Sequence, residues 1–483
     1  MRGDDMKVLL FTTPWDFSKM TNPFFSTKDR LGFIRKIFKV EGQGIMGSFP
    51  PLGLMYLSAA LKRAGHEARI LNGMFATEEE IFREMETGGY GLFGISTYSA
   101  GWRDDQLMIE KTKKRFPGTG IVIGGPHANG WKTNCFKDSP FIDYMVYGDG
   151  ENALLGLVER LGGNKPLDGI NGLAWKDAGT SKVVDNGGPD YIMNIDDIPF
   201  PDWDGVDIYR YRPTLTNYKR LPAIDIIGSR GCPFRCIFCH SSCVVRKRSV
   251  KSIMDEIDIL VKRYGIKDMT FYDETFTMFR DRNLQLCDEL IRRKYDLVWA
   301  ANARADCLDE EMLKKMKAAG CWRLLFGIES GSQRVLDIMK KGITLEQTRN
   351  AVKMTKEAGI EAHGTMIFGI PGETYEEGLE TIKFACDLDL DYAAFSSLAL
   401  FPGTEVFNMV SGDEEFDFED HSALKVGYVP DSMTRRQLED LLDKSYKKFY
   451  FRPSYIVKRI SRIRSMEDVK RNMIGLLAFM RGE

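Results

Sequence analysis

Short apolar runs alternate with helical periodicity through most of the chain. Residues 6–11 form the first such run, and those at 68–71, 91–96, 120–124 and 144–147 have the same uninterrupted apolar character. Each reads as a strand buried on both faces. Between or after them, apolar positions recur at helical spacing over 52–64, with Gly65 at the end, and near 78–86, 103–116 and 151–161. Strands separated by helices imply right-handed crossovers and a parallel, doubly wound α/β sheet, Rossmann-like, over residues 1–165. Residues 166–221 break the pattern: 171–175 and 182–185 suggest a small hairpin, and the Pro-flanked stretch 198–203 reads as a linker. The alternation resumes with strands at 223–228, 269–272, 298–302, 323–328, 363–368 and 393–400. Helices are predicted near 251–263, 282–293, 309–319, 345–358 and 374–387. Repeated strand–helix units over 222–405 predict a partial (β/α)6 barrel, with its chemistry at the C-terminal ends of the strands. Residues 406–483 form a helical C-terminal domain in this reading.

The strand at 223–228 runs into Ser-Arg-Gly-Cys232-Pro-Phe-Arg-Cys236-Ile-Phe-Cys239-His240. Three thiolates at C-x3-C-x2-C spacing suit an iron–sulfur cluster that keeps one iron open. Phe234, Ile237 and Phe238 would shield it from water, and Gly231 would let the loop turn tightly. A structural zinc completed by Cys243 or His240 is the competing reading, although the paired C-x2-C spacing of such sites is absent. A disulfide framework fits poorly with nine sparse cysteines and no secretory signal peptide. The cysteines at 135, 243, 287, 307, 321 and 386 stand singly, and most read as small buried hydrophobes.

Composition narrows the function classes. With 43% hydrophobic residues, 28% charged residues and a net charge of −2, the chain can build two or three cores and has no basic bias for nucleic acid. No apolar run is long enough to span a bilayer, so a soluble cytoplasmic protein is expected. Two amphipathic stretches rich in Lys and Arg, at 24–40 and in the tail at 455–464 and 469–480, leave open a cap over the barrel or a peripheral membrane contact.

The cysteine loop at a strand end, followed by repeated strand and helix signals, resembles the radical S-adenosylmethionine superfamily. The resemblance implies a 4Fe-4S cluster on Cys232, Cys236 and Cys239, whose open iron chelates S-adenosylmethionine and whose electron cleaves it to a 5'-deoxyadenosyl radical. It implies an electron donor such as flavodoxin or ferredoxin. It also assigns contacts to S-adenosylmethionine: Phe238 in the loop, Asp273 and Glu274 at the methionine ammonium, Arg304 at its carboxylate, Glu329 and Ser330 at the ribose, and Gly369 and Gly372 at the adenine. Helix N-capping is the competing role for Asp273 and Glu373. The strand ends of the first half resemble the cobalamin-binding domain that precedes the radical domain in one subgroup. That likeness assigns cobalamin contacts to Pro51, Leu52, Gly53, Ser96, Thr97, Gly124, Gly125, Pro126, His127, Gly148, Gly150 and Glu151. The Asp-x-His-x-x-Gly motif that supplies a lower cobalt ligand elsewhere is absent, so His127 reads as structural or as a contact to the nucleotide tail. The family reading is a cobalamin-dependent methyltransferase acting on an unactivated carbon of a small-molecule or lipid-like substrate. Cyclisation, rearrangement or oxidation with the same cofactors, and a cobalamin-free variant, are its alternatives.

Overall fold

A computed structural model describes residues 6–14, 47–189, 191–214, 216–411, 416, 418, 426–461, 463 and 469. The amphipathic stretch 24–40 and nearly all of 469–480 lie outside these residues. The chain divides into two compact units. The first comprises Met1–Asp16, Pro50–Ile208 and Leu400–His421, and the second Phe17–Phe49, Tyr209–Ala399 and Ser422–Glu483.

In the first unit, β1 (Lys7–Thr12), β2 (Glu67–Asn72), β3 (Leu92–Ser96), β4 (Gly120–Gly124) and β5 (Tyr144–Val146) are followed by β6 (Leu173–Lys176) and β7 (Val183–Asp185). The sheet order is β2-β1-β3-β4-β5-β6-β7, parallel as far as β5 and antiparallel beyond it. Val8, Leu9, Leu10 and Phe11 of β1 are almost fully buried, as a continuous apolar strand requires. The predicted hairpin forms, and it extends this sheet instead of standing apart. Because β1 pairs with β2 on one side and β3 on the other, the crossovers reverse direction between β1 and β3. That is the switch point where open α/β sheets take their ligands. The helices Leu52–Arg63, Glu78–Gly88, Trp102–Arg115 and Glu151–Gly162 match the predicted patterns. The short helix Pro126–Trp131 was not predicted, since PHANGW has no apolar period. The chain also returns to this unit late: a Cβ on Gly130 would lie 2.1 Å from the Pro402 carbonyl, and Phe407 packs edge-on to Trp131.

The second unit holds β8 (Ala223–Ile226), β9 (Ser229–Arg230), β10 (Arg246–Lys247), β11 (Asp268–Phe271), β12 (Val298–Ala303), β13 (Cys321–Glu329), β14 (Glu361–Phe368) and β15 (Tyr392–Ser397). Six of these form one sheet in the order β15-β14-β13-β12-β11-β8, with every pair parallel. This is the expected partial barrel, with β8 and β15 at its two edges. The minor ribbon β9–β10 straddles the cysteine loop.

The tail helix Arg435–Tyr450 covers the β15 edge. The Tyr446 hydroxyl donates to the Phe395 carbonyl at 3.0 Å and accepts from its N–H at 3.2 Å. Tyr450 does the same at Ala393, at 2.7 and 3.1 Å. An edge strand left bare is a template for pairing with another chain, and here it is closed by side chains. Beyond this helix, Pro453–Ser461 exposes Ile456, Val457 and Ile460. Among the described residues no helix is long and apolar enough to cross a membrane.

The tyrosine contacts predict a measurable cost. Tyr450→Phe leaves both backbone groups of the buried Ala393 unpartnered and should lower stability by about 1–3 kcal/mol, read as a reduced urea midpoint with unchanged slope. Combining it with Tyr446→Phe should lower the midpoint further.

Candidate active site

The cysteine loop leaves β8 through Gly228 and closes on itself. Gly231 has φ 86°, and a Cβ there would lie 2.2 Å from the Val244 carbonyl, so only glycine makes this turn. The Cys232 N–H donates to the Ser242 carbonyl at 2.9 Å, and the Cys239 N–H to that of Cys236 at 3.1 Å. Ile237 is buried and its N–H donates to the Met339 carbonyl at 3.1 Å, while Phe238 is half-buried. None of the nine cysteines is in a disulfide; Cys135, Cys287 and Cys321 are buried, and Cys243 is exposed. Among the described residues no three Cys, His, Asp or Glu side chains already stand together as a ligand set. The loop thiols nevertheless feel one another: burial, then the Cys236 and Cys232 charges, push the Cys239 thiol up to about 11. Three thiols on one tight, partly apolar loop are the donor set that a site-differentiated 4Fe-4S cluster takes, and they fit it.

Asp273 braces the entry to this loop. Its carboxylate is fully buried, accepting from the Gly228 N–H and the Ser229 hydroxyl, each at 2.6 Å. Arg282 lies 3.6 Å from it and donates to the Gly228 carbonyl at 2.8 Å. Burial raises the Asp273 carboxyl, while Arg282, Ser229 and the Gly228 N–H hold it down. The side chain read as a contact to the methionine ammonium is thus committed to protein partners. Glu274 is the adjacent carboxylate that faces outward, accepting from the Gly231 N–H at 3.3 Å. Neither Asp273 nor Glu373 caps a helix: Phe279 and Thr374 occupy the cap positions. Glu373 instead accepts from the N–H groups of Gly369 at 2.6 Å and Ile370 at 3.1 Å, closing the turn in which Gly369 and Gly372 have φ 87° and 80°.

Three other predicted residues gather beside the loop. The Arg304 guanidinium lies 3.6 Å from the Phe234 ring centroid, pairs with Asp306 at 2.8 Å and donates to the Lys341 carbonyl at 2.5 Å. Glu329, at the end of β13, accepts from the Lys341 ammonium at 2.8 Å. Ser330 faces inward, its hydroxyl 3.1 Å from that of Thr381. The sequence assigns no role to Lys341 or Arg282, since neither falls at a strand end or in a spaced motif, and none to Ser229, since a serine ahead of the cysteines carries no ligand signal of its own.

In the first unit the switch-point strand ends carry the predicted hydroxyl and glycine positions. Thr97 donates through its N–H and hydroxyl to the Gly124 carbonyl, at 2.8 and 2.9 Å. A Cβ on Gly125 would lie 2.9 Å from the Thr97 carbonyl and 3.0 Å from the Ser96 hydroxyl. Its glycine is therefore required by the protein's own packing, whatever binds above it. Gly148 and Gly150 both have φ near 90°, at 88° and 87°, and Gly150 caps the helix that opens with the buried Glu151. Pro51 caps the helix opening with Leu52 and Gly53, and Gly53 faces open space. Pro126 is exposed, while His127 is buried, stacked on Trp102 at 4.3 Å and set edge-on to Phe418 at 5.0 Å. Its Nδ1 lies 3.0 Å from the Ser99 hydroxyl, and burial drives its pKa down to about 3. Buried atoms of Thr13, Asp105 and His127 have no hydrogen-bond partner. A glycine-bordered switch point with unpartnered buried polar groups fits a large, polar-edged cofactor such as cobalamin.

Comparison with known proteins agrees with both units. Residues 226–385 match the radical SAM superfamily, and residues 44–158 match the B12 binding domain. An uncharacterized methyltransferase of Pyrococcus horikoshii is 34% identical over 437 residues, spanning 89% of this chain and 93% of that protein. The chain belongs to the cobalamin-binding radical SAM enzymes. Its cofactors are the 4Fe-4S cluster, S-adenosylmethionine and cobalamin. The anaerobic magnesium-protoporphyrin IX monomethyl ester cyclase of Rubrivivax gelatinosus is 29% identical over 440 residues, covering 88% of this enzyme and 78% of the cyclase. Among solved structures, the radical S-adenosylmethionine methyltransferase TsrM from Kitasatospora setae shares the fold. It has TM-score 0.65 and 21% identity, over 92% of this enzyme and 83% of that chain.

Two outcomes test the site. Replacing Cys232, Cys236 and Cys239 together by Ala should abolish iron and sulfide uptake and the visible absorption of the reconstituted protein, while Cys243→Ala retains both. Asp105 tests the first unit through pH. Burial raises its carboxyl to about 8, so the folded protein holds a proton there that the unfolded chain releases near pH 4. Stability should therefore fall as pH rises from about 4 to 8 and level off above. In Asp105→Asn that fall should be smaller, as read from urea midpoints across the same range.

Proposed function

We propose that this enzyme is a cobalamin-dependent radical SAM methyltransferase acting on an unactivated carbon of a small-molecule or lipid-like substrate in the cytoplasm. The observation that carries the reading is the alignment with the Pyrococcus methyltransferase, which runs through both cofactor domains in one chain. The bound groups supply one-electron reduction at the cluster, a transferable methyl and an adenosyl fragment from S-adenosylmethionine, and a methyl carrier in cobalamin.

The chain's own residues bind, orient and exclude water. Cys232, Cys236 and Cys239 would hold the cluster, and the Asp273–Arg282 pair fixes the turn from which their loop hangs. Ile237 and Phe234 give the loop an apolar lining, and Arg304 packs against Phe234. Glu329 would accept from the ribose hydroxyls and Glu274 would receive an ammonium. The Gly369–Gly372 turn would offer backbone groups to an adenine. Ser96 and Thr97, with Gly124, Gly125, Gly148 and Gly150, would border cobalamin. His127 serves packing, stacked on Trp102 with Phe418 set perpendicular to it. The reading includes a flavodoxin or ferredoxin donor. It also includes contact with a lipid surface through Pro453–Ser461, supported by the exposed Ile456, Val457 and Ile460.

The likeness to the Rubrivivax cyclase favours a second reading, oxidation or ring closure with the same cofactors. Labelled methyl from S-adenosylmethionine separates the two. Under the methyltransferase reading, label enters the product, and S-adenosylhomocysteine and 5'-deoxyadenosine form in comparable amounts. Product coupled to 5'-deoxyadenosine alone, without label, would establish the second reading in its place.

A further inference from the structure

Lys341 follows the short helix Gln333–Ile338 and lies in no recognised motif, yet it is nine-tenths buried and at the centre of the residues that meet the cysteine loop. Its ammonium donates to Glu329 at 2.8 Å, and its carbonyl accepts from Arg304 at 2.5 Å. Two residues earlier, the Met339 carbonyl receives the Ile237 N–H from between Cys236 and Cys239. The pair has a space made for it. A Cβ on Gly327 would lie 2.3 Å from Glu329 Oε1 and 2.8 Å from Lys341 Nζ. Glu329 itself sits at φ 64°, a conformation rare for a residue with a side chain and characteristic of functional sites.

A buried ion pair is weak evidence for stability, because the cost of taking both charges out of water offsets most of their attraction. Its upkeep here, with a glycine cleared for it and a left-handed glutamate, calls for another purpose. The pair stands beside the cysteine loop by geometry: the Met339 carbonyl holds Ile237, and Arg304, bonded to the Lys341 carbonyl, covers the Phe234 ring.

We propose that Lys341 is a positioning residue that sets the reduction potential of the cluster held by Cys232, Cys236 and Cys239, and that Glu329 screens its charge. The inference rests on the cluster reading above. Reduction adds one negative charge to the cluster, so a fixed cation within the same low-dielectric region favours the reduced form and a carboxylate disfavours it. Any ligand whose hydroxyls engage Glu329 would weaken that screening, which makes electron uptake sensitive to occupancy.

The test is a redox titration followed by electron paramagnetic resonance, on full-length protein reconstituted anaerobically with iron and sulfide. Wild type, Lys341→Met, Lys341→Arg and Glu329→Gln are compared with and without S-adenosylmethionine. Lys341→Met should disfavour reduction about tenfold, ~59 mV lower for a one-electron couple. Glu329→Gln should shift the potential upward, and Lys341→Arg should stay near wild type. Wild type should shift upward on adding S-adenosylmethionine, and Lys341→Met should lose most of that response. An unchanged potential in either charge-removing variant, or shifts of the same sign in both, would overturn the proposal, since structural loosening has no reason to follow charge. If Lys341→Met does not fold, Glu329→Gln and Lys341→Arg still decide it. Wild-type protein that takes up no iron or sulfide would instead overturn the cluster reading, a failure seen in metal content before any potential is measured.

Discussion

The second unit depends on one buried contact, the Asp273 carboxylate against the backbone of Gly228 and the hydroxyl of Ser229. β8 and β11 are neighbours in the sheet, and Asp273 follows β11 just as Gly228 follows β8. A short acid at that position reaches across to the exit of the adjacent strand and fixes its direction. Arg282 satisfies the other side, neutralising the carboxylate and holding the Gly228 carbonyl. Gly228 has no side chain because a Cβ would lie 3.1 Å from Arg282 and 3.2 Å from Asp273. The cysteine loop thus leaves the sheet from a fixed point. A loop that must present three ligands at set separations gains from a rigid origin, since small misplacements at a reacting centre are costly.

The acidic residues at the strand ends divide between scaffold and ligand for a physical reason. A carboxylate can accept several hydrogen bonds, and whether those donors belong to the protein or to a bound molecule depends on local geometry that the sequence does not carry. Asp273 and Glu373 are turned inward and hold backbone turns. Glu274 is turned outward. Glu329 lies between these cases, buried but paired with a single flexible lysine.

Much of the fold was legible because its strands are uninterrupted apolar runs and its helices are amphipathic. β4 begins and ends where residues 120–124 predict, and most other strands agree within two residues. The cysteine loop stood out by its spacing, as three thiols within eight residues leave few chemical alternatives. Long-range relations were not. Nothing in residues 173–185 says that the hairpin joins the first sheet, because its pairing with β5 is a tertiary event. Nothing in residues 400–421 says that the chain returns to the first unit, where Phe418 meets His127. Lys341 escaped notice since a Lys-Lys-Gly after a short helix usually marks a solvated turn. The helix Arg435–Tyr450, which precedes the amphipathic stretches at 455–464 and 469–480, closes an open sheet edge, because tyrosine hydroxyls can replace the missing strand.

The tyrosine closure also carries a limit on its own length. Helix positions four apart rise by ~6.0 Å, while strand positions two apart advance by ~6.6 Å. Tyr446 and Tyr450 can therefore match Phe395 and Ala393 with little error, like two marks of a vernier that nearly coincide. A third rung on the same helix would fall roughly 1.2 Å out of step by this difference in pitch, beyond what a hydrogen bond tolerates. The next contact down the strand is accordingly made by Tyr455, to the Asp391 carbonyl at 3.0 Å, and it comes from the new helix that starts at Pro453. The interruption at Phe451 and Arg452 resets the phase between two lattices of unequal spacing.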